Sequence, residues 1–300
     1  MKAPLKQNRY GFLFTILITA LLLVGCNPQI SSTSSSDSPN NPQENIAVYG
    51  TPGLEYALIE GKQEYQLVGE GTATDENMVV ASVYNGLPVT QIADNIFLNP
   101  LGEHPYVDMI KSLVIPEGIT SIGDNSFSDC DLLESVTLPN SLTHIGERAF
   151  YSNQKLREVG GTVEKGLRYL GNESNPYIML FYINEPESLT TVEINPSCKF
   201  IGATVFYNTA QITEVNFPEG VLEIGYQPFT FCNELTTVYL PYTLKRVGTN
   251  LFKSCKKLQT VYYAGTVNDW NNIKKDYRWD FLMTTPLTHI ICIDGEVTLN

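Results

Sequence analysis

Apolar positions alternate with polar ones in short, recurring bursts. Val136 and Leu138 alternate with Ser135 and Thr137, the period-2 mark of a half-buried strand. Pro139 cannot donate to a ladder and ends that strand. Leu142 and Ile145 supply a second short apolar segment, and Gly146 permits a tight bend where side chains would crowd. The segment GERAFYSN is compatible with a short helical or 3-10 turn that drives Phe150 inward, after which Leu156 and Val159 start the next strand. The unit recurs. IPEGITSIGDNSFSDCDLLESV begins at Ile115, LPNSLTHIGERAFYSNQKLREV at Leu138, FPEGVLEIGYQPFTFCNELTTV at Phe217 and LPYTLKRVGTNLFKSCKKLQTV at Leu240. A Gly column (Gly123, Gly146, Gly202, Gly225, Gly248) and a Phe column (Phe127, Phe150, Phe206, Phe229, Phe252) keep the same spacings of 23, 56, 23 and 23. The long interval is one repeat of 23 plus another with about ten extra residues. One unit has too little core to fold alone, whereas stacked units share a continuous one. The Phe column is therefore expected to form a single internal row in a β-rich solenoid.

The combined pattern L–x–x–V–x–I–P–x–x–V–x–x–I–G–x–x–A–F–x–x–C–x–x–L resembles the BspA-like leucine-rich repeat of bacterial and protist surface proteins. GLEYALI, GEGTATD and YNGLPVTQI, within residues 54–97, resemble the N-terminal unit of that family. YLGNESNPYIMLFYI at 169–183 resembles its elongated repeat, and YYAGTVNDWNNI with THIICIDGEV resembles its terminal unit. The resemblance covers about 54–300. Ile96-Phe97, Ser126-Phe127 and Val205-Phe206 depart from it by replacing Ala-Phe, and Asn99 to Asp108 enlarges the first repeat. It implies an α/β, β-rich, leucine-rich-repeat right-handed solenoid of about seven repeats with short helical or 3-10 turns. Members of the family are associated with adhesion at cell surfaces.

The N-terminus reads as an address. Lys2, Lys6 and Arg9 precede an apolar run from Gly11 to Val24, about half of the roughly 20 residues needed to span a bilayer. The run ends in Leu23-Val24-Gly25-Cys26, which resembles the lipobox of bacterial lipoproteins and implies lipid attachment at Cys26. Residues 27–45 are Ser, Asn and Pro-rich and form a flexible tether with a reach of about 25 Å. The expected organisation is a leader at 1–25, lipidated Cys and tether at 26–45, a capping unit and first repeat at 46–110, repeats at 111–264 with the elongated one at about 160–194, and a C-terminal cap at 265–300. Asn27 lacks the Asp that retains some lipoproteins at an inner membrane, which favours display at an outer membrane or cell surface.

Charge narrows the partners. The net charge is −13, and losing Lys2, Lys6 and Arg9 with the leader takes it to −16, so phosphate backbones are repelled and nucleic acid is a poor partner. His104, His144 and His289 fall in unrelated contexts, and CxxC, HExxH, GxSxG and the phosphate-binding P-loop are absent, so no metal, cofactor or reaction class is expected. Asp124, Asp129 and Asp131 miss the EF-hand spacing and read as an acidic turn.

The repeat turns strand positions into ladders about 5 Å apart. One outward column is Val114, Thr137, Glu193, Asn216, Tyr239, Tyr262, and its neighbour includes Thr237 and Thr260. Tyr offers large area at little entropic cost and is enriched at interface centres, so Tyr239 and Tyr262, with Thr237, Thr260, Asn216 and Glu193, are the candidate contact patch. The plain alternative is Tyr as a good strand former. A second column, Ser121, His144, Phe200, Glu223, Arg246, reads as a solvated edge, and the basic cluster Lys245, Arg246, Lys253, Lys256, Lys257 as a solvated face. Cys130, Asn153, Thr209, Cys232 and Cys255 share a position that calls for a small buried donor; Cys198 and Cys292 lie elsewhere, and a Cys232–Cys255 disulfide is left open. Trp270 and Trp279 read as a cap rather than a carbohydrate platform.

The chain is thus expected to be a monomeric, exported, lipid-anchored and non-catalytic protein. Its partner would be a surface protein or glycan of a host or neighbouring cell, and adhesion is its leading role. Glycan capture for nutrient uptake is the alternative; an enzyme is a remote one.

Overall fold

The computed structural model describes residues 48–97, 108–187, 189–190 and 192–299. The expected leader, the tether and Cys26 lie outside the described residues. Asn45–Asn300 cluster as one compact unit.

Each repeat lays down two short strands. The first strands run through Ser112–Val114 and Ser135–Thr137, then Val192–Glu193, Glu214–Asn216, Thr237–Leu240, Thr260–Tyr263 and His289–Cys292. The second strands occupy Leu87–Ile92, Ser121–Ile122, His144–Ile145, Met179–Ile183, Phe200–Ile201, Glu223–Ile224, Arg246–Val247 and Lys274–Lys275. Pairing between complete repeats is parallel at the predicted offset: Ser121 faces His144, Tyr239 faces Tyr262 and Ile224 faces Val247. This is the leucine-rich-repeat solenoid, β-rich with little helix.

The Gly column is a packing constraint. A Cβ at Gly123 would meet the Ala93–Asp94 backbone, and one at Gly146 would meet Gly123–Asp124, so adjacent turns pass too closely for any side chain. The following turns use two left-handed residues per repeat, such as Asn125 with Asp129 and Asn250 with Ser254. Capping carboxylates stitch repeats together. Glu117 accepts from the Asn140 and Ser141 backbone N–H groups, and Glu219 does the same for Tyr242 and Thr243.

Two expectations need correction. Gln154–Val159 is a short helix, with Leu156 buried and Val159 exposed, where the alternation predicted the next strand. The chain leaves the solenoid there, and Gly160-Gly161 turns it into a hairpin, Thr162–Glu164 against Leu167–Leu170, which then pairs antiparallel with Met179–Ile183. The second correction follows from the first. The Phe column is not one row but two. Phe97, Phe127 and Phe150 stack at 5.4 and 5.5 Å, and Phe206, Phe229 and Phe252 stack at 5.0 and 5.7 Å. Phe150 belongs to the N-terminal core cluster and Phe206 to the C-terminal one. The hairpin occupies the level that would have joined them, and on the first-strand side the ladder narrows to a single Thr137–Gly171 bridge among the described residues.

At the C-terminal end Trp270 is 1% exposed, edge-on to Tyr263 and Trp279, on a helix whose start is fixed by a reciprocal Thr266–Asp269 capping box. The indoles close the core rather than offering a platform.

Candidate functional site

The strand face is built by alternation. Val238 and Val261 point inward and are fully buried, so Tyr239 and Tyr262 must point outward. Their rings stack at 5.0 Å with an interplanar angle of 10°, each about one-third exposed (36% and 37%). Asn216 precedes them on the ladder and is exposed, while Thr237 and Thr260 pair beside them, half-buried. Glu193 is exposed at the far end and is held by Lys165.

Ile291, paired with Tyr262 and 38% exposed, extends the column by one rung. This stretch is expected to be part of the cap and the column to end at Tyr262, although the alternation in THIICI carries the signal. Beside the column runs an open groove of about 390 Å³, with Phe217, Pro241, Tyr263 and Ile293 among its lining residues and Glu219 in its wall. Burial pushes the Tyr263 phenol up to about 12, so it stays a neutral donor, 3.5 Å from the Tyr242 carbonyl. The arrangement can bind by area and edge contacts; it presents no nucleophile–base pair.

The expected solvated edge through His144, Glu223 and Arg246 is instead a buried seam. Strand His144–Ile145 lacks a following strand because the hairpin takes that level, and the second-strand ladder of the C-terminal half packs against it. Glu223, 8% exposed, fills the gap. One carboxylate oxygen accepts from the Ile145 N–H at 3.1 Å, and His144 Nδ1 lies 2.8 Å from the other. Arg246, 7% exposed, lies 3.3 Å from His144 Nε2, donates from Nε to Asp276 Oδ1 at 3.0 Å and forms an ion pair with Oδ2 through Nη2 at 2.9 Å. Arg246 therefore does not belong to a solvated basic face. Phe200, on the same column, sits in the N-terminal core. Lysines 245, 256 and 257 are exposed, the last paired with Glu234.

Glu147 crosses the seam too, accepting from the Thr249 N–H at 2.5 Å and its hydroxyl at 3.2 Å. Burial, reinforced by the Asp276 carboxylate and opposed by the Thr249 contacts, holds its pKa above the usual carboxylate range. A raised folded-state pKa means stability that is complete below the unfolded-state value and is lost as pH rises through the folded one. Glu147→Gln should therefore melt near the wild-type temperature at pH 4 and above it at pH 8. Calorimetry of both proteins across that range checks the sign; a gap independent of pH rules out the proton linkage.

The buried-donor column holds at Asn153, Cys232 and Cys255 and extends to Thr285, whereas Cys130 Sγ lies 4.0 Å from the Ser128 carbonyl of its own turn. Cys232 Sγ donates to the Phe206 carbonyl at 2.8 Å, Cys255 Sγ to Phe229 at 2.9 Å, Asn153 Nδ2 to Phe127 at 3.0 Å and Thr285 Oγ1 to Phe252 at 2.6 Å. Each satisfies the Phe-column carbonyl one repeat earlier, which explains why Cys, Asn and Thr exchange there. Thr209 has no Phe-column carbonyl beneath it, since its predecessor is the elongated repeat, and its hydroxyl is unpartnered. Cys130, Cys198, Cys232, Cys255 and Cys292 are all buried free thiols, and burial pushes Cys130, Cys198 and Cys255 up to about 12.

The family sequence pattern described as "BspA type Leucine rich repeat region" matches six copies over residues 105–175 and 172–274. No curated protein matches the chain. Among solved structures it is similar to a T. pallidum leucine-rich-repeat protein, at 22% identity over 72% of this chain and 85% of that one, with a TM-score of 0.40. It is also similar to a leucine-rich cell surface protein of Faecalibacterium prausnitzii, at 14% identity over 80% and 99%, TM-score 0.32. A leucine-rich-repeat protein of Bacteroides ovatus gives 16% identity over 81% of each chain, TM-score 0.31. With six copies of its repeat spread over more than half of its length, the chain belongs to the BspA-type leucine-rich-repeat family.

Proposed function

We propose that this is an exported, lipid-anchored surface protein that adheres to a protein on a host or neighbouring cell, without catalysis, through the strand face centred on Tyr239 and Tyr262. The observation that carries the reading is the exposed Tyr239–Tyr262 stack, prolonged by Ile291 and flanked by an apolar groove. Family membership supports it, since solenoids present extended surfaces rather than enclosed pockets. The stacking also favours protein over glycan. The two rings cover each other's faces and offer edges and hydroxyls, whereas a sugar platform needs a free ring face.

The test is capture from surface extracts of host or neighbouring cells by the full chain. Tyr239→Ser/Tyr262→Ser should weaken capture of the identified protein about 100-fold, the loss of two central aromatic anchors; unchanged affinity removes this face from the function. Cys26→Ser in the same experiment tests the anchor separately, by loss of partition into detergent.

A further inference from the structure

The turns of the C-terminal half carry an exposed ridge that strand-face recognition does not use. Each repeat closes its second turn with a left-handed residue. Asp129, Ser152, Asn208 and Ser254 take that place at φ of 60, 64, 56 and 60°. These are short polar residues, which tolerate the conformation because they can hydrogen-bond locally. Phe231 takes it at 65° and Met283 at 55°. Neither gains anything locally from this backbone geometry, and both are exposed, at 39% and 60%. A strained aromatic held out in water is a feature that folding alone does not select.

The ladder puts these positions in one line, with Ser254 buried between the exposed Phe231 and Met283. Asn208 N–H donates to the Thr230 carbonyl, Phe231 to Lys253 and Ser254 to Leu282. Tyr207, also exposed, stands edge-on to Phe231 at 5.7 Å, and Ser254 lies 3.7 Å from the Met283 sulfur. Cations join the row: Lys253 and Arg278 lie over the Phe281 ring at 5.6 and 4.2 Å. The chain's charge is skewed toward this region. Eight of its 19 Lys and Arg fall between residues 245 and 278, against two acids, Asp269 and Asp276. Arg246 and Lys275 among them are partnered in the interior and Lys257 pairs with Glu234, so Lys253 and Arg278 are the cations placed at this row, with Asp280 adjoining Phe281.

We propose that this ridge docks on an anionic phospholipid surface. Separate apolar tips suit a deformable headgroup layer, into which each can sink, better than a preformed protein pocket. Aromatic and Met side chains beside Lys and Arg are the composition of interfacial contacts. The body's net negative charge opposes approach, but charges more than about 8 Å away are screened at physiological salt, so the cations at the ridge govern the contact itself. Adhesion through Tyr239 and Tyr262 is a separate face, and the proposal stands or falls without it.

Trp279, half-buried beside Arg278 and packed edge-on against Trp270, is the reporter, since Trp270 is 1% exposed. The full chain is mixed with vesicles of brominated phosphatidylcholine, alone or with brominated phosphatidylglycerol. The apolar run at 11–24 can hold the chain on either vesicle, so the readout is quenching of Trp279 rather than partition. Quenching is expected with the anionic vesicles and not with the neutral ones. Lys253→Glu/Arg278→Glu should weaken it at least about ten-fold, Phe231→Asn/Met283→Asn should abolish it, and Tyr239→Ser/Tyr262→Ser should leave it unchanged. Phe231→Asn alone should also raise the melting temperature, because Asn suits the left-handed position; a variant that folds better and docks worse separates docking from folding. Equal quenching on neutral vesicles, or full quenching by the Phe231→Asn/Met283→Asn variant, overturns the proposal.

Discussion

Glu223→Ala should cost about 3 kcal/mol of stability, the upper end of what stranding the hydrogen-bond partners of a buried charged group costs, with His144 partly exposed. Three losses coincide. The Ile145 N–H, on a strand edge with no following strand, loses its acceptor. His144 loses the carboxylate 2.8 Å from Nδ1. Arg246, 8% exposed at its side chain, keeps Asp276 but loses a neighbouring negative charge. Glu223→Gln restores an acceptor for Ile145 and should recover part of the loss. Urea unfolding of the three proteins gives the ranking. If Glu223→Ala is no worse than an exposed control such as Glu214→Ala, the seam contributes nothing.

This seam marks the limit of what the sequence discloses. The 23-residue columns were legible because the stack returns each position to the same environment once per turn, so chemistry repeats down the column. Inward Val and Leu, the Gly that lets turns approach and the exchangeable Cys, Asn and Thr all follow from that. The alternation of Pro-Glu-Gly with Pro-Asn-Ser and Pro-Tyr-Thr carries the same kind of signal, since it encodes the Glu117 and Glu219 caps. Contacts across the break are different in kind. His144 and Glu223 are 79 residues apart, Glu147 and Thr249 are 102 apart, and no period relates them. They exist because the elongated repeat withdraws one level from the ladder, and the path of a hairpin inserted there is set by tertiary packing rather than by alternation. The same withdrawal turned Leu156 and Val159 from strand to helix. On the strand face, Tyr239 and Tyr262 were placed correctly by alternation alone, but Ile291 was lost because the final repeat is longer than 23 residues (Val261 pairs with Ile290).

Phe229→Ala should cost about 3–5 kcal/mol, the range for emptying a large aromatic site in a core that cannot fully collapse. Phe229 is the middle ring of its row. It stacks on Phe206 at 5.0 Å and on Phe252 at 5.7 Å and meets Phe217 edge-on at 5.9 Å, with no exposed surface. Each ring pair adds about 0.5–1.5 kcal/mol beyond the area removed from water. Phe150 occupies the same position in its repeat but ends its row against the hairpin. It has one stacked neighbour, Phe127, and is 6% exposed. Phe150→Ala should therefore cost less, by roughly the 1–3 kcal/mol that two missing ring pairs represent. The comparison holds the residue type and its place in the repeat constant and varies only the neighbours. In a solenoid stability is a sum of repeat terms and nearest-neighbour terms, and the broken row isolates the second. Equal losses in urea unfolding would mean that each Phe serves its own repeat and that the stacks add nothing to the coupling between repeats.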